Sequence, residues 1–174
     1  MTGRKTKLGE LIGRLTKVAN TDPDPNAVLL PELHGLRERV PQLTGSLVAS
    51  IDGLLIVHDV PAHIEPNGMA ALTASELSLS HRLVTTAHGG GFDEVVVRGS
   101  GGYVVIYAAG WTAALTVLAA PTVNVGRLHL ESRPLARAIA EHLKALGKEV
   151  RAPEGGKHEL TKPPVSNTRR RERI

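Results

Sequence analysis

The chain has 174 residues, no cysteine, a hydrophobic fraction of 41% and a formal net charge of +4. That length suits one domain with terminal extensions. The lack of cysteine excludes disulfides and thiolate chemistry, fits a reducing compartment, and gives the expectation of a cytoplasmic protein. Residues 1–7 are basic but no uninterrupted apolar run follows them, and no stretch approaches the roughly 18 apolar residues a membrane span needs. Secretion and membrane insertion are therefore not expected.

The charge is uneven. Residues 1–20 carry five basic residues and one acidic, and residues 148–174 carry eight and four, so each end holds a net +4. Residues 21–147 carry eight basic and twelve acidic residues, a net −4. The basicity belongs to the ends, and a mildly acidic body argues against nucleic acid as a partner for the domain itself.

In chain order, Leu8, Leu11, Ile12, Leu15 and Val18 recur at helical spacing among lysines and arginines, which predicts a short basic amphipathic helix over residues 6–20. Pro23 and Pro25 break the pattern, so residues 21–26 read as a linker and 1–25 as a leading segment. Leu29, Leu33, Leu36 and Val40 form the next helical stripe, closed by Pro41. Pro31 suits a first turn and places the start near residue 30. Residues 47–50 and 54–60 are β-rich and flank Asp52-Gly53, a two-residue hairpin signal in which Asp52 is expected to fix the turn. A long helix is predicted from residue 67 to about 88, stopped by Gly89-Gly90-Gly91. Residues 94–98, 103–108 and 112–119 read as three more strands joined by glycine turns. Asn124 is placed to cap a last helix through residue 146, although Pro134 implies either a kink or a late start with Ser132 as the cap.

Residues 103–108 and 112–119 are apolar on both faces, so the sheet is expected to be covered on both sides. The prediction is a three-layer α/β/α sandwich, of the α+β type, around a five-stranded, largely antiparallel sheet in the order α-ββ-α-βββ-α. The domain should span residues 26–147, with a disordered basic tail at 148–174.

The run from Gly45 to Ile56 resembles the opening hairpin of the Roadblock/dynein-light-chain family, as does Ala70-Ala71 early in the long helix. Gly101 to Ile106, Leu115 to Leu118 and Asn124-Val125-Gly126 resemble its later part, giving a likeness over roughly residues 29–146. Pro134 departs from the pattern. The resemblance implies a profilin/longin-like fold, a homodimer or heterodimer, and a role in regulating or scaffolding small GTPases. For bacterial members it also implies a Ras-like GTPase and a sensor kinase encoded nearby. It further implies dimer contacts through the edge strand after the long helix and through the paired long helices, here residues 94–98 and 67–88.

The long helix can also be read alone. Leu72, Leu79 and Leu83 form one stripe beside Met69, and Ala70, Leu77 and Val84 form another, with Thr73, Glu76 and Ser80 as a polar seam between them. Two stripes predict one face for the sheet and one for another molecule; the alternative is a single wide stripe with Glu76 emerging at its rim. The expected partner surface comprises Met69, Leu72, Glu76, Leu77, Ser80, Val84 and the strand Glu94, Val95, Val96, Val97 and Arg98. Self-pairing of that strand near Val96 would set Glu94 of one chain against Arg98 of the other.

Other motifs point away from chemistry. Gly99-Ser100-Gly101-Gly102 joins two strands and lacks the Gly-Lys-Ser/Thr ending of a phosphate loop. The histidines, among them His58, His63, His81 and His88, show no i, i+4 pair beside a carboxylate and read as surface residues. No nucleophile elbow and no obvious arginine finger appear. The expectation is a non-catalytic regulator without cofactor or metal. The alternatives are a dimeric nucleic-acid binder using the basic ends and a small-ligand sensor. Both basic ends have a membrane surface among their expected contacts. The tail reads either as an electrostatic contact with an acidic partner, lipid headgroups or nucleic acid, or as a solvated segment. The leading helix reads as lying on a membrane or, preferably, on its own domain or a partner.

Overall fold

The computed structural model describes residues 24–150. The helix expected over residues 6–20 and the tail beyond residue 150 lie outside the described residues. Three helices and five strands follow in chain order: α1 (Pro25–Arg39), β1 (Leu43–Ser50), β2 (Leu55–Asp59), α2 (Pro66–His88), β3 (Glu94–Gly99), β4 (Gly102–Ala109), β5 (Ala113–Ala119) and α3 (Val125–Val150). All strand pairs are antiparallel, in the order β2-β1-β5-β4-β3. The two hairpin units are sewn together by β1 against β5, and β2 and β3 are left as the edges.

α1 begins earlier than the sequence suggested. The Asp24 carboxylate accepts from the Asn26 amide at 3.0 Å, and Pro25 occupies the first helical position, where no amide hydrogen is needed. The residues taken as the end of a linker are therefore the helix's own cap. Pro31 sits inside the helix and removes one bond, to the carbonyl of Ala27, a residue exposed to water. Leu29, Leu33, Leu36 and Val40 are all buried, as their spacing requires.

The β1–β2 link is also corrected. Three residues, Ile51 to Gly53, form the loop. The Ser50 amide donates to the Leu54 carbonyl at 2.8 Å, and the Gly53 amide to the Ser50 carbonyl at 3.0 Å. Gly53 is left-handed at φ 82°, the arrangement of a three-residue turn with a bulge. It also passes close to α2, since a Cβ there would lie 3.2 Å from the Ala71 Cα. The side-chain bond that closes the loop comes from Ser50, whose hydroxyl accepts from the Leu54 amide at 3.1 Å, rather than from Asp52.

α2 is capped by Glu65, which accepts from the amides of Asn67 and Gly68, and it stops at Gly89. Those amide bonds hold the exposed Glu65 carboxyl below its ordinary range. α3 starts at Asn124, which accepts from the Arg127 amide at 3.0 Å, and continues through Pro134. Ser132 is thus a buried residue within the helix and not its cap. α3 also runs to Val150, into the segment expected to be tail.

Helices cover both faces of the sheet. α1 and α3 bury one face in a large apolar cluster that includes Leu33, Leu36, Val48, Val105, Tyr107, Leu115, Val117, Leu128 and Ile139. α2 covers the other, its Ala70 packed with Leu47 and Ala49 of β1, and Leu55, Val60 and its own Met69 are half-buried around them. The result is an α/β/α sandwich.

Candidate partner interface

α2 meets its sheet through the polar seam. Its buried residues are Ala70, Thr73 and Ser80. The Thr73 and Thr116 hydroxyls lie 2.7 Å apart under the helix, and the Ser80 hydroxyl donates to the half-buried Glu76 carboxylate at 3.0 Å. Met69, Leu77 and Val84 flank this seam, half-buried. The other stripe faces outward: Leu72, Leu79 and Leu83 are 66%, 63% and 71% exposed. A helix that turns three leucines to water while resting on hydroxyls has its apolar surplus on the side away from its own core. Of the residues expected on the partner surface, Leu72 is therefore outward. Met69, Leu77 and Val84 are half-buried, Glu76 is held by Ser80, and Ser80 is itself buried.

β3 is the free sheet edge that follows this helix in the chain, after residues 89–93. Val96 and Val97 are both more than two-fifths exposed, and Val95 is half-buried. Register places Val96 opposite Val105 and Val97 opposite Val104, so the two valines face opposite sides of the sheet. The charges bracketing them are engaged within the chain. The Arg133 guanidinium donates to both Glu94 carboxylate oxygens, at 2.6 and 2.8 Å. The Arg98 guanidinium lies 5.6 Å from the centre of the Tyr103 ring. Glu94 thus has its counter-ion without a second chain.

Glu94 belongs to a polar cluster that joins the sheet edge to α3. It lies across from Tyr107 in the β3–β4 register. The Tyr107 hydroxyl is 2.9 Å from His129 Nδ1, which in turn is 3.4 Å from a Glu94 oxygen. The rings of Tyr107 and His129 meet edge to face, 5.8 Å apart. The Arg133 hydrogen bonds hold the Glu94 carboxyl below the usual carboxylate range against the opposing effect of burial, and His129 adds to the lowering. Burial pushes the Tyr107 hydroxyl well above its ordinary value. Beside the cluster is a cavity of about 670 Å³ lined by Val84, Phe92, Arg133 and Arg137 among others. A second groove of about 610 Å³ runs between Leu77, His81 and Trp111.

His129 and Arg133 were not singled out in the sequence. Their i, i+4 spacing puts them on one face of a helix, and counting outward from Gly99 opposite Gly102 puts Glu94 beside Tyr107. Nothing local says that these two pairs meet. Among the described residues, no group of three or more His, Asp or Glu is placed to hold a metal. Asp52 is exposed on the β1–β2 loop, with Gly53 behind it.

A family model described as the Roadblock/LC7 domain matches residues 29–119, more than half of the chain. The chain belongs to the Roadblock/LC7 family. The Roadblock/LC7 match ends with β5, so α3 lies outside it, as does the Asn124-Val125-Gly126 motif. The polar cluster therefore joins two residues of the matched span to two of the following helix. A Roadblock/LC7 domain from Streptomyces avermitilis is similar at 27% identity, with a TM-score of 0.60 over 65% of this chain and 95% of that one. MglB in a tetrameric arrangement shares the fold at 19% identity, with a TM-score of 0.64 over 70% of this chain and 92% of that one. The gliding protein MglB from Thermus thermophilus does so at 18% identity, with a TM-score of 0.61 over 72% of this chain and 92% of that one. The comparison with curated proteins finds no match.

Proposed function

We propose that this Roadblock/LC7 domain is a non-catalytic regulator or scaffold of a Ras-like small GTPase, and that it works as a homodimer. The observation that carries the reading is the outward leucine stripe of α2 together with the open edge of β3. Two copies joined at β3 would continue one sheet into the next and bring two α2 helices side by side, giving a broad apolar platform. The Glu94–Arg133 pair stabilises the start of that edge strand from within each chain. The glycines of residues 99–102 join β3 to β4 and open no helix, so GTP would be carried by the partner. A sensor kinase of the same system is a further expected partner, and the cytoplasm the expected location.

The test has two arms. Sedimentation of the purified chain should give a dimer that Leu72→Ser/Leu79→Ser converts to monomer. Capture of GTPases encoded nearby, loaded with GDP or a non-hydrolysable GTP analogue, should depend on the nucleotide. A protein that stays monomeric at high concentration, or ignores the nucleotide state of every such GTPase, would refute the proposal.

A further inference from the structure

α1 and α2 open on the same pattern of acid, proline and asparagine: Asp24-Pro25-Asn26 and Glu65-Pro66-Asn67. In both, the acid caps the helix and the proline takes the first helical position. In both, one carboxylate oxygen accepts from the asparagine twice. Asp24 Oδ1 is 3.0 Å from the Asn26 backbone amide and 3.1 Å from its Nδ2. Glu65 Oε1 is 2.9 and 3.1 Å from the same two atoms of Asn67.

The fourth residue differs. At Ala27 the amide donates to the Asp24 backbone carbonyl at 2.9 Å. At Gly68 it donates to the second carboxylate oxygen of Glu65, whose longer side chain folds back over it. A Cβ on Gly68 would lie 2.7 Å from that oxygen, so a larger residue would push the carboxylate off the amide. The cap therefore calls for glycine at 68, and glycine after Asn67 makes the only Asn-Gly pair in the chain. Asn67 and Gly68 are both exposed.

Asn-Gly is the dipeptide most open to deamidation, because asparagine is a thermolabile residue and glycine brings no Cβ to hinder ring closure. The Gly68 nitrogen, its proton lost to solvent, bonds to Cγ of Asn67. The Cγ–Nδ2 bond breaks, Nδ2 takes up a proton and leaves as ammonia, and a cyclic succinimide remains. Water opens the ring at Cγ to give aspartate, or at the main-chain carbonyl carbon to give isoaspartate. Nothing is oxidised or reduced. In the folded chain Glu65 holds both reacting groups. Its carboxylate accepts from the nitrogen that must attack and from the nitrogen that must leave, and its negative charge disfavours loss of the Gly68 proton. The Met69 amide, bonded to the Glu65 carbonyl at 3.1 Å, closes the turn around them.

We propose that Asn67 is a deamidation site held shut by the Glu65 cap, and that opening the cap converts the start of α2 to aspartate or isoaspartate. Either product sets a second carboxylate against Glu65 in place of a donor, and isoaspartate also lengthens the main chain within the first turn. Met69 and Ala70, which pack with Leu47 and Ala49 of β1, follow directly. The modification thus loosens the presenting helix at its mount.

In the test, the full chain is kept warm at mildly alkaline pH, folded and, in parallel, unfolded in guanidinium chloride. Peptide mapping by mass spectrometry follows Asn67, with Asn26 as the internal reference because it has a matching cap but is followed by alanine. The expected result is deamidation of Asn67 well ahead of Asn26 in denaturant, and at least about tenfold slower in the folded parent. Glu65→Ala should restore most of the unfolded rate at Asn67 and leave Asn26 unchanged. Glu65→Asp, which retains a capping carboxylate, should stay slow. The proposal is overturned if Asn67 reacts as fast folded as unfolded, or no faster than Asn26 in denaturant. It fails also if Glu65→Ala is as slow as the parent, if Glu65→Asp is as fast as Glu65→Ala, or if Glu65→Ala speeds Asn26 and Asn67 alike, which would make general unfolding the cause. None of these outcomes depends on whether a GTPase is bound.

Discussion

The two faces of the sheet are built on different principles. On the α1/α3 face, nineteen buried residues form a continuous apolar cluster, to which the helices contribute Leu29, Leu33, Leu36, Leu128 and Leu135, while Leu130 faces outward. On the α2 face the buried cluster is Leu47, Ala49 and Ala70, a pair of threonine hydroxyls completes the contact, and Leu72, Leu79 and Leu83 point away. The first face holds the domain together. The second holds a helix in place while leaving its apolar stripe for something else, because small and hydroxylated residues fix position without using up hydrophobic surface. One sheet thus serves as core on one side and as mount for a presenting helix on the other.

Substitutions sharpen this contrast. The largest effect is expected on the dry face. Leu33→Ala, at a fully buried position of α1, should lower unfolding free energy by about 2–5 kcal/mol in denaturant titration. A loss below about 1 kcal/mol would mean that α1 is not part of the core.

Under α2 the expected effect is smaller and depends on pairing. Thr73→Val strands the buried Thr116 hydroxyl and should cost about 1–3 kcal/mol, whereas Thr73→Val/Thr116→Val removes both partners and should restore most of it. Additive losses in this double-mutant cycle would show that the two hydroxyls are not coupled.

At the edge, Glu94→Gln should cost roughly 1 kcal/mol, since one partner of the pair is half in water. The Glu94 carboxyl titrates lower in the folded chain than in the unfolded one. Its contribution is therefore complete above the ordinary glutamate range, near pH 4.5, and is lost as pH falls through the depressed value. Unfolding measured from pH 7 down to 3 should show parent and Glu94→Gln converging at the acid end. Parallel curves would remove Glu94 from the acid response.

The smallest effect on folding is expected on the outer stripe. Leu79→Ser should change unfolding of the dissociated chain by less than about 0.5 kcal/mol, while weakening self-association by at least about tenfold. A large folding loss in dilute solution would place Leu79 in the core and undo the contrast between the two faces.

Much of this was legible beforehand. The α1 stripe, the strands of the β3–β4–β5 meander and the glycine stop of α2 follow from periodicity and turn chemistry, which are local. The misjudged points are local too, but each arises from two competing signals. Pro25 and Pro31 are both acceptable first-turn residues, and the Asp24 cap decides for the earlier. Asp52-Gly53 resembles a two-residue turn, and the left-handed Gly53 with the Ser50 hydroxyl makes it a three-residue one. Pro134 does not end α3, whose start was already secured by Asn124.

The sequence by itself determined which residues are apolar at which spacing, and hence the element order, the sheet with both faces covered and the two stripes of α2. Only the tertiary structure decided which stripe faces the sheet, and that Glu94 takes its counter-ion from Arg133, thirty-nine residues away. The reason is physical. Periodicity assigns a residue to a face of its own element, but what that face meets depends on contacts between elements far apart in the chain, and no spacing rule encodes those.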